Sequence, residues 1–204
     1  MSSLLVCITG ASGAAYGRRF ALAALEHFEP LHLVVSPRGA VVIAHELGFR
    51  VDLDRLDLGG LFGSDDARVR LWRPDDMNAP FASGSGACDA TVIVPCSMGT
   101  VGRIASGTSD NLIVRAADVA LKEGRRLILV PRETPLNLIH LRNLTGLAEA
   151  GAIVMPACPG FYDRPTTALE LVDFMVMRIL LRLGISQEGL RRWGDLAREW
   201  AEGE

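Results

Sequence analysis

The sequence predicts a doubly wound, three-layer α/β domain built on a parallel sheet. Three observations carry this. Short β-branched runs alternate with longer helical patterns along the chain. The runs, such as LLVCIT and LILVP, are apolar throughout rather than at every second residue. Strands buried on both faces belong in a parallel sheet covered by helices. The turns that follow the runs are small, polar or charged, and sheets of this class hold ligands beyond the carboxyl ends of their strands.

Leu4–Thr9 is expected as the first strand, with Gly10–Gly13 a tight turn into a helix over Ala14–His27. Leu31–Ser36 is the second strand and Gly39–Leu47 the second helix. The 50–90 stretch is less patterned, with a strand at Val69–Trp72 and loop over Asp75–Gly86. Ala90–Pro95 is a clear strand, with helix to follow near Gly99–Ala105. Leu112–Glu123 reads as helix, Arg126–Pro131 as strand and Pro135–Ala150 as helix. A short strand at Ile153–Pro156 and a long helix at Thr167–Leu183 complete the pattern. Residues 1–185 therefore form a single α/β domain. Residues 186–204 form a helical tail that packs on the body or on a neighbouring subunit.

At 204 residues the chain can bury one full core, yet 49% hydrophobic residues is rich for a small monomer. The plainer account is a well-filled α/β core; the sharper one, and the one expected, is apolar surface buried between copies in a homo-oligomer. The net charge of -3 argues against nucleic acid or an acidic membrane as partner. MSSLLVCITGASG has neither the basic start nor the long apolar stretch of a signal peptide. Leu169–Leu183 carries Glu170, Asp173, Arg178 and Arg182, so no membrane span is expected. Cys7, Cys88, Cys96 and Cys158 lie far apart with no CxxC, which fits a reducing cytoplasm. The histidines lack HxxxH or HExxH spacing, so no metal site is expected.

Five stretches carry chemistry. Thr9-Gly10-Ala11-Ser12-Gly13 opens a helix, where glycines admit a ligand and free N–H groups favour an anion. The spacing is not GxGxxG, and the second strand ends in Ser36 rather than an acidic residue, which favours a ligand with one phosphate over a dinucleotide. The plainer reading makes Ser12 a helix cap. Pro95-Cys96-Ser97-Met98-Gly99-Thr100 is a second candidate phosphate cradle, or again a cap by Ser97. Arg115 and Lys122 stand about two helical turns apart on one face. They could clamp a second phosphate, or Asp118 and Lys122 could simply form an i,i+4 pair. Arg132-Glu133 follows a very apolar strand; Glu133 could move protons, or the two could be a structural pair. Gly160-Phe161-Tyr162 is followed by Arg178 among apolar neighbours, where an arginine needs an anion, either a ligand or Glu170.

Together ITGASGAAYG, VVSPRGA, APFASGSG, VPCSMGTVGRIASG, SDNLIVRAADVALKEGRR, ILVPRETPL and MPACPGFYDRPTT resemble the UbiX-like flavin prenyltransferases, a family that includes the B subunits of phenolic-acid decarboxylases. The pieces run in family order over nearly the whole chain, and RAADVALKE with PRETP is the most specific. The resemblance implies a Rossmann-like (flavodoxin-like) fold, FMN as cofactor and reduced co-substrate, and a metal-independent transfer. Dimethylallyl phosphate would be the donor, with the pyrophosphate ester used by some members. Prenylated FMN would pass to a UbiD-like decarboxylase, and the assembly would be a dodecamer.

Carried over by position, the resemblance assigns FMN contacts to Gly10, Ala11, Ser12, Ser36, Ser97, Met98, Gly99, Thr100 and Arg132. It assigns the prenyl phosphate to Arg115, Lys122, Tyr162 and Arg178, and a cover over the prenyl pocket to Trp193. Glu133 resembles the acid/base residue, Ser12 a proton relay, and Glu46 a residue that orients the cationic cluster. Met77 departs from the pattern, since some members carry tryptophan there. Two rivals remain at this point. An FMN-dependent cysteine-type decarboxylase would need a catalytic histidine and a PASANT-like turn, where this chain has PCSMGT. A non-catalytic flavin-binding decarboxylase subunit would need no second phosphate site.

Overall fold

The computed structural model describes residues 3–63 and 68–186. Its strands are β1 (Leu4–Ile8), β2 (Leu31–Val35), β3 (Val69–Trp72), β4 (Ala90–Cys96), β5 (Arg126–Pro131) and β6 (Ile153–Val154). Its helices are α1 (Ala14–Ala24), α2 (Pro37–Leu47), α3 (Met98–Ala105), α4 (Leu112–Lys122), α5 (Leu138–Glu149) and α6 (Ala168–Arg182). The six strands form one parallel sheet in the order β3-β2-β1-β4-β5-β6. Leu4 stands between Leu31 and Ala90, which fixes the register at the centre. The winding reverses between β1 and β4, and this switch point is where such sheets open a crevice. Without the edge strand β3, the order is that of the flavodoxin-like folds.

Side chains alternate faithfully across the sheet. Leu4, Val6, Ile8, Leu33, Val92 and Ile128 share one core with residues of α1, α2 and α6. Leu5, Cys7, Val34, Ile93, Leu127 and Leu129 share the other with residues of α3, α4 and α5. The central strands β1 and β2 are wholly buried, as their unbroken apolar runs require.

Several expected boundaries move for identifiable reasons. The helix expected over Ala14–His27 ends at Ala24, because His27 and Phe28 both turn back to donate to Ala24 O and Phe28 packs into the core. The helix expected from Pro135 begins at Leu138, because Asn137 accepts from His140 N as its cap. The last strand closes at Val154 instead of Pro156. Pro156 has no N–H, so pairing continues only as separate bonds from Met155 N to Leu129 O and Ala157 N to Pro131 O. The Asp75–Gly86 loop holds two tight 3-10 turns, Pro80–Ala82 and Gly84–Gly86, and buries Phe81. The tail expected over 186–204, with Trp193, lies outside the described residues except for Ser186.

Candidate active site

The carboxyl ends of β1, β2 and β4 are stitched together by backbone and one hydroxyl. Ser36 N donates to Ile8 O at 2.9 Å. The buried Thr9 hydroxyl donates to Pro95 O at 2.8 Å and accepts from Ser97 N at 2.8 Å. These bonds set three loops side by side at the switch point. Gly10 must be glycine there, since a Cβ would lie 2.5 Å from Arg38 Cβ.

Ser36 and Ser97 cap α2 and α3, accepting from Gly39 N and Thr100 N. The plain capping reading therefore holds for both, and it is compatible with ligand binding. Both helix starts open onto one cavity of about 300 Å³, lined by Gly10, Ser36, Ser97 and Thr100 together with Pro37, Arg38, Arg103, Asn111 and Ile113. Arg103 is held by Asp110 at 3.2 Å. Arg38 makes no hydrogen bond or ion pair among the described residues. Sequence reasoning missed Arg38, Arg103 and Asn111, although Arg38 stands two residues after Ser36 in the first turn of α2. Ala11 and Met98 are buried by packing, and Gly99 lies in the first turn of α3.

Beside this cavity lies a polar cluster built on the glycine turn. Ser12 does not cap α1; that end is capped from another helix. The Glu46 carboxylate, on α2, accepts from Gly13 N at 2.9 Å and from Ala14 N at 2.8 Å. Burial pushes the Glu46 carboxyl up, but the Ser12 hydroxyl, these two N–H groups and the charge of Arg132 outweigh it. The net is a carboxyl below its ordinary value. Arg132 Nε donates to Ser12 O at 3.0 Å, joining the end of β5 to the β1 turn. Arg132 therefore does not pair with Glu133, which is exposed and accepts from Thr134 N at 3.1 Å. Glu46 acts on the turn and on Arg132, and its oxygens do not reach Arg115, Lys122 or Arg178.

The residues expected to bind the prenyl phosphate fall into two groups. Arg115 Nε donates to Ala82 O at 2.9 Å and Nη1 to Asp118 at 3.0 Å. Lys122 pairs with Glu123, so the expected Asp118–Lys122 pair is replaced by two others. Tyr162 and Arg178 line a separate cavity of about 480 Å³ at the carboxyl end of β6, with Met155, Cys158 and Phe174. The Tyr162 ring meets Phe174 edge-on, centroids 5.5 Å apart. Arg178 is exposed and makes no ion pair among the described residues; Glu170 is engaged by Thr166 instead. The two groups sit on opposite layers, since α4 packs in one core and α6 in the other. Met77 is exposed.

Among the described residues no cluster of His, Cys, Asp or Glu could hold a metal ion, and no helix is long and apolar enough to cross a membrane. The family model described as Flavoprotein matches residues 1–181. A flavin prenyltransferase UbiX from Halalkalibacterium halodurans is 46% identical over 190 residues, 93% of this chain and 92% of that protein. AnUbiX (PadA1), solved with FMN and dimethylallyl pyrophosphate, superposes with a TM-score of 0.83 at 37% identity, covering 94% of this chain and 97% of that one. A dodecameric FMN-dependent UbiX-like decarboxylase from Escherichia coli O157:H7 superposes with a TM-score of 0.82 at 37% identity, covering 94% and 98%. On this cavity, this fold and these relatives, the chain belongs to the UbiX family of flavin prenyltransferases.

Proposed function

We propose that the protein joins a dimethylallyl group from dimethylallyl phosphate to N5 and C6 of reduced FMN. The observation that carries this reading is the switch-point cavity. It offers three hydroxyls, two helix starts and the Arg38 guanidinium, which has no ion pair among the described residues, a donor set that suits a phosphate monoester. FMN has one such group, and a ribityl chain suits hydroxyl and amide partners such as Asn111. Bound reduced flavin supplies the electron-rich atoms that take up the dimethylallyl group as phosphate departs.

The chain's own residues handle the charge. Arg115, Lys122, Tyr162 and Arg178 donate to the leaving phosphate as its C–O bond breaks, where neutralisation lowers the barrier most. Glu133, at the end of β5, exchanges the proton, with Ser12 beside it across Arg132 as relay. Glu46 holds the glycine turn and Arg132 in place. Phe174 gives the Tyr162 cavity an aromatic wall, which favours an allylic cation over water. Because α4 and α6 lie on opposite layers, Arg115 and Lys122 of one copy meet Tyr162 and Arg178 of another in a homo-oligomer. The dodecameric relative supports an assembly of that size. The product passes to a UbiD-like decarboxylase in the cytoplasm, an address supported by the four free thiols.

Anaerobic incubation of the protein with reduced FMN and dimethylallyl phosphate, followed by mass analysis of the flavin, tests the reading. A flavin heavier by one dimethylallyl unit is expected; recovery of unmodified FMN alone overturns it.

A further inference from the structure

Beyond the residues that touch donor or flavin, the segment from β3 to the Gly84–Gly86 turn runs along α4 and meets it at successive points. Leu112 N, the first of the helix, donates to Pro74 O at 2.8 Å. Arg115 Nε donates to Ala82 O at 2.9 Å. Lower down, Gly84 lies against Lys122 and Glu123, so closely that a Cβ there would fall 2.9 Å from Lys122 Nζ and 2.0 Å from Glu123 Oε1. The cations of α4 are therefore aimed by a stretch of chain that is itself mostly turn.

What holds that stretch is a cluster of three rings on the same side of the sheet. Phe81 is 2% exposed. Its ring lies 5.3 Å from His32 and 5.5 Å, edge-on, from Trp72. Trp72 Nε1 donates to His32 Nδ1 at 3.0 Å. His32 is buried on β2, and because an indole N–H can only donate, Nδ1 carries no proton and accepts. A buried imidazole is a costly choice unless its bond is used. Here that bond fixes the Trp72 indole on the edge strand β3, and the indole edge fixes Phe81, one residue before the carbonyl that receives Arg115.

We propose that His32 and Trp72 are positioning residues for the donor phosphate: through Phe81 they hold Ala82 O and Gly84 against α4 and so fix the aim of Arg115 and Lys122. This rests on the reading that those two cations bind the donor. A guanidinium with Nε and one Nη1 hydrogen already placed presents its remaining N–H groups to an anion with less rotamer freedom to lose. Neither ring lines the flavin cavity, which meets α4 only at its start through Asn111 and Ile113, so the larger effect falls on the donor.

The test compares KM for dimethylallyl phosphate, kcat and the FMN dissociation constant in four variants. His32→Leu removes the acceptor and is expected to raise the donor KM about tenfold, the loss of one oriented contact, with FMN affinity within about twofold. His32→Asn places an amide oxygen near the position of Nδ1 and restores most of the donor KM. Trp72→Phe keeps a ring but removes the donor N–H, and raises the donor KM in the same way. Arg115→Ala tests the underlying reading: an unchanged donor KM there overturns that reading and this inference with it. A raised KM in Arg115→Ala with wild-type values in His32→Leu and Trp72→Phe overturns the inference alone. If His32→Leu does not fold, Trp72→Phe decides. Equal loss of FMN and donor binding in the variants also overturns it, since it would make the cluster merely structural.

Discussion

At Glu46 one carboxylate organises a turn that belongs to another part of the chain. Its folded-state carboxyl lies below the ordinary 4.5, despite burial, because Ser12, Ala14, Gly13 and Arg132 all favour the charged form. A depressed acid contributes stability that is present above its unfolded value and is lost as pH falls through the folded one. Glu46→Ala should therefore lower Tm at pH 7 by about 2–4 °C, the loss of one capping interaction of about 1 kcal/mol. The gap to the wild type should close as pH drops below 4.5. A Tm difference that stays constant into acid would show that the charge on Glu46 does not matter. The sequence points to Ser12 as the cap, because it precedes the helix directly. It hides Glu46, which arrives from 33 residues away on an exposed face of α2. Local spacing reports caps made within a turn and is silent about caps delivered from a neighbouring helix.

At the scale of the element, legibility tracks how local the deciding force is. The central strands are read correctly to within a residue because burial on both faces dictates their composition, and Ser97 and Thr167 mark helix starts by short-range caps. The ends that differ from expectation, at Ala24, Leu138 and Val154, are set by Phe28 entering the core, by the Asn137 cap and by Pro156 interrupting the ladder. The 75–86 stretch looks like loop because Asp, Asn, Ser, Gly and Pro together dominate it, while its order comes from Phe81 and from α4. Packing between elements leaves a clear mark in sequence at Gly17, against Val94 O of β4, and equally at Gly39. A Cβ there would lie 2.6 Å from Ile8 O, the backbone of the central strand, which cannot yield as a side chain could. Gly39→Ala gains helix propensity but forces α2 off β1. The balance should cost about 1–2 kcal/mol and lower Tm by roughly 2–8 °C. A variant as stable as the wild type by thermal melting would show that α2 has room to move.

For the whole molecule, the surface and the site make the same demand. Leu138, Ile139 and Phe161 are 59%, 66% and 69% exposed, an apolar display that a lone copy would carry at risk of aggregation. The cations proposed to bind the donor are split between α4 and α6, which pack on opposite faces of the sheet. In the homo-oligomer proposed above, another copy would cover such residues and supply the cations that one copy lacks. The consequence is a complementation experiment. Arg115→Ala and Arg178→Ala should each be nearly inactive when produced alone. Assembled together at equal amounts, a site that takes Arg115 from one copy and Arg178 from another finds both intact in about a quarter of cases, so roughly a quarter of wild-type turnover should return. If one chain supplied both arginines, every site would lack one of them and no activity would return. Steady-state turnover of the mixed assembly therefore separates a shared site from a private one, while the single variants report that each arginine is needed.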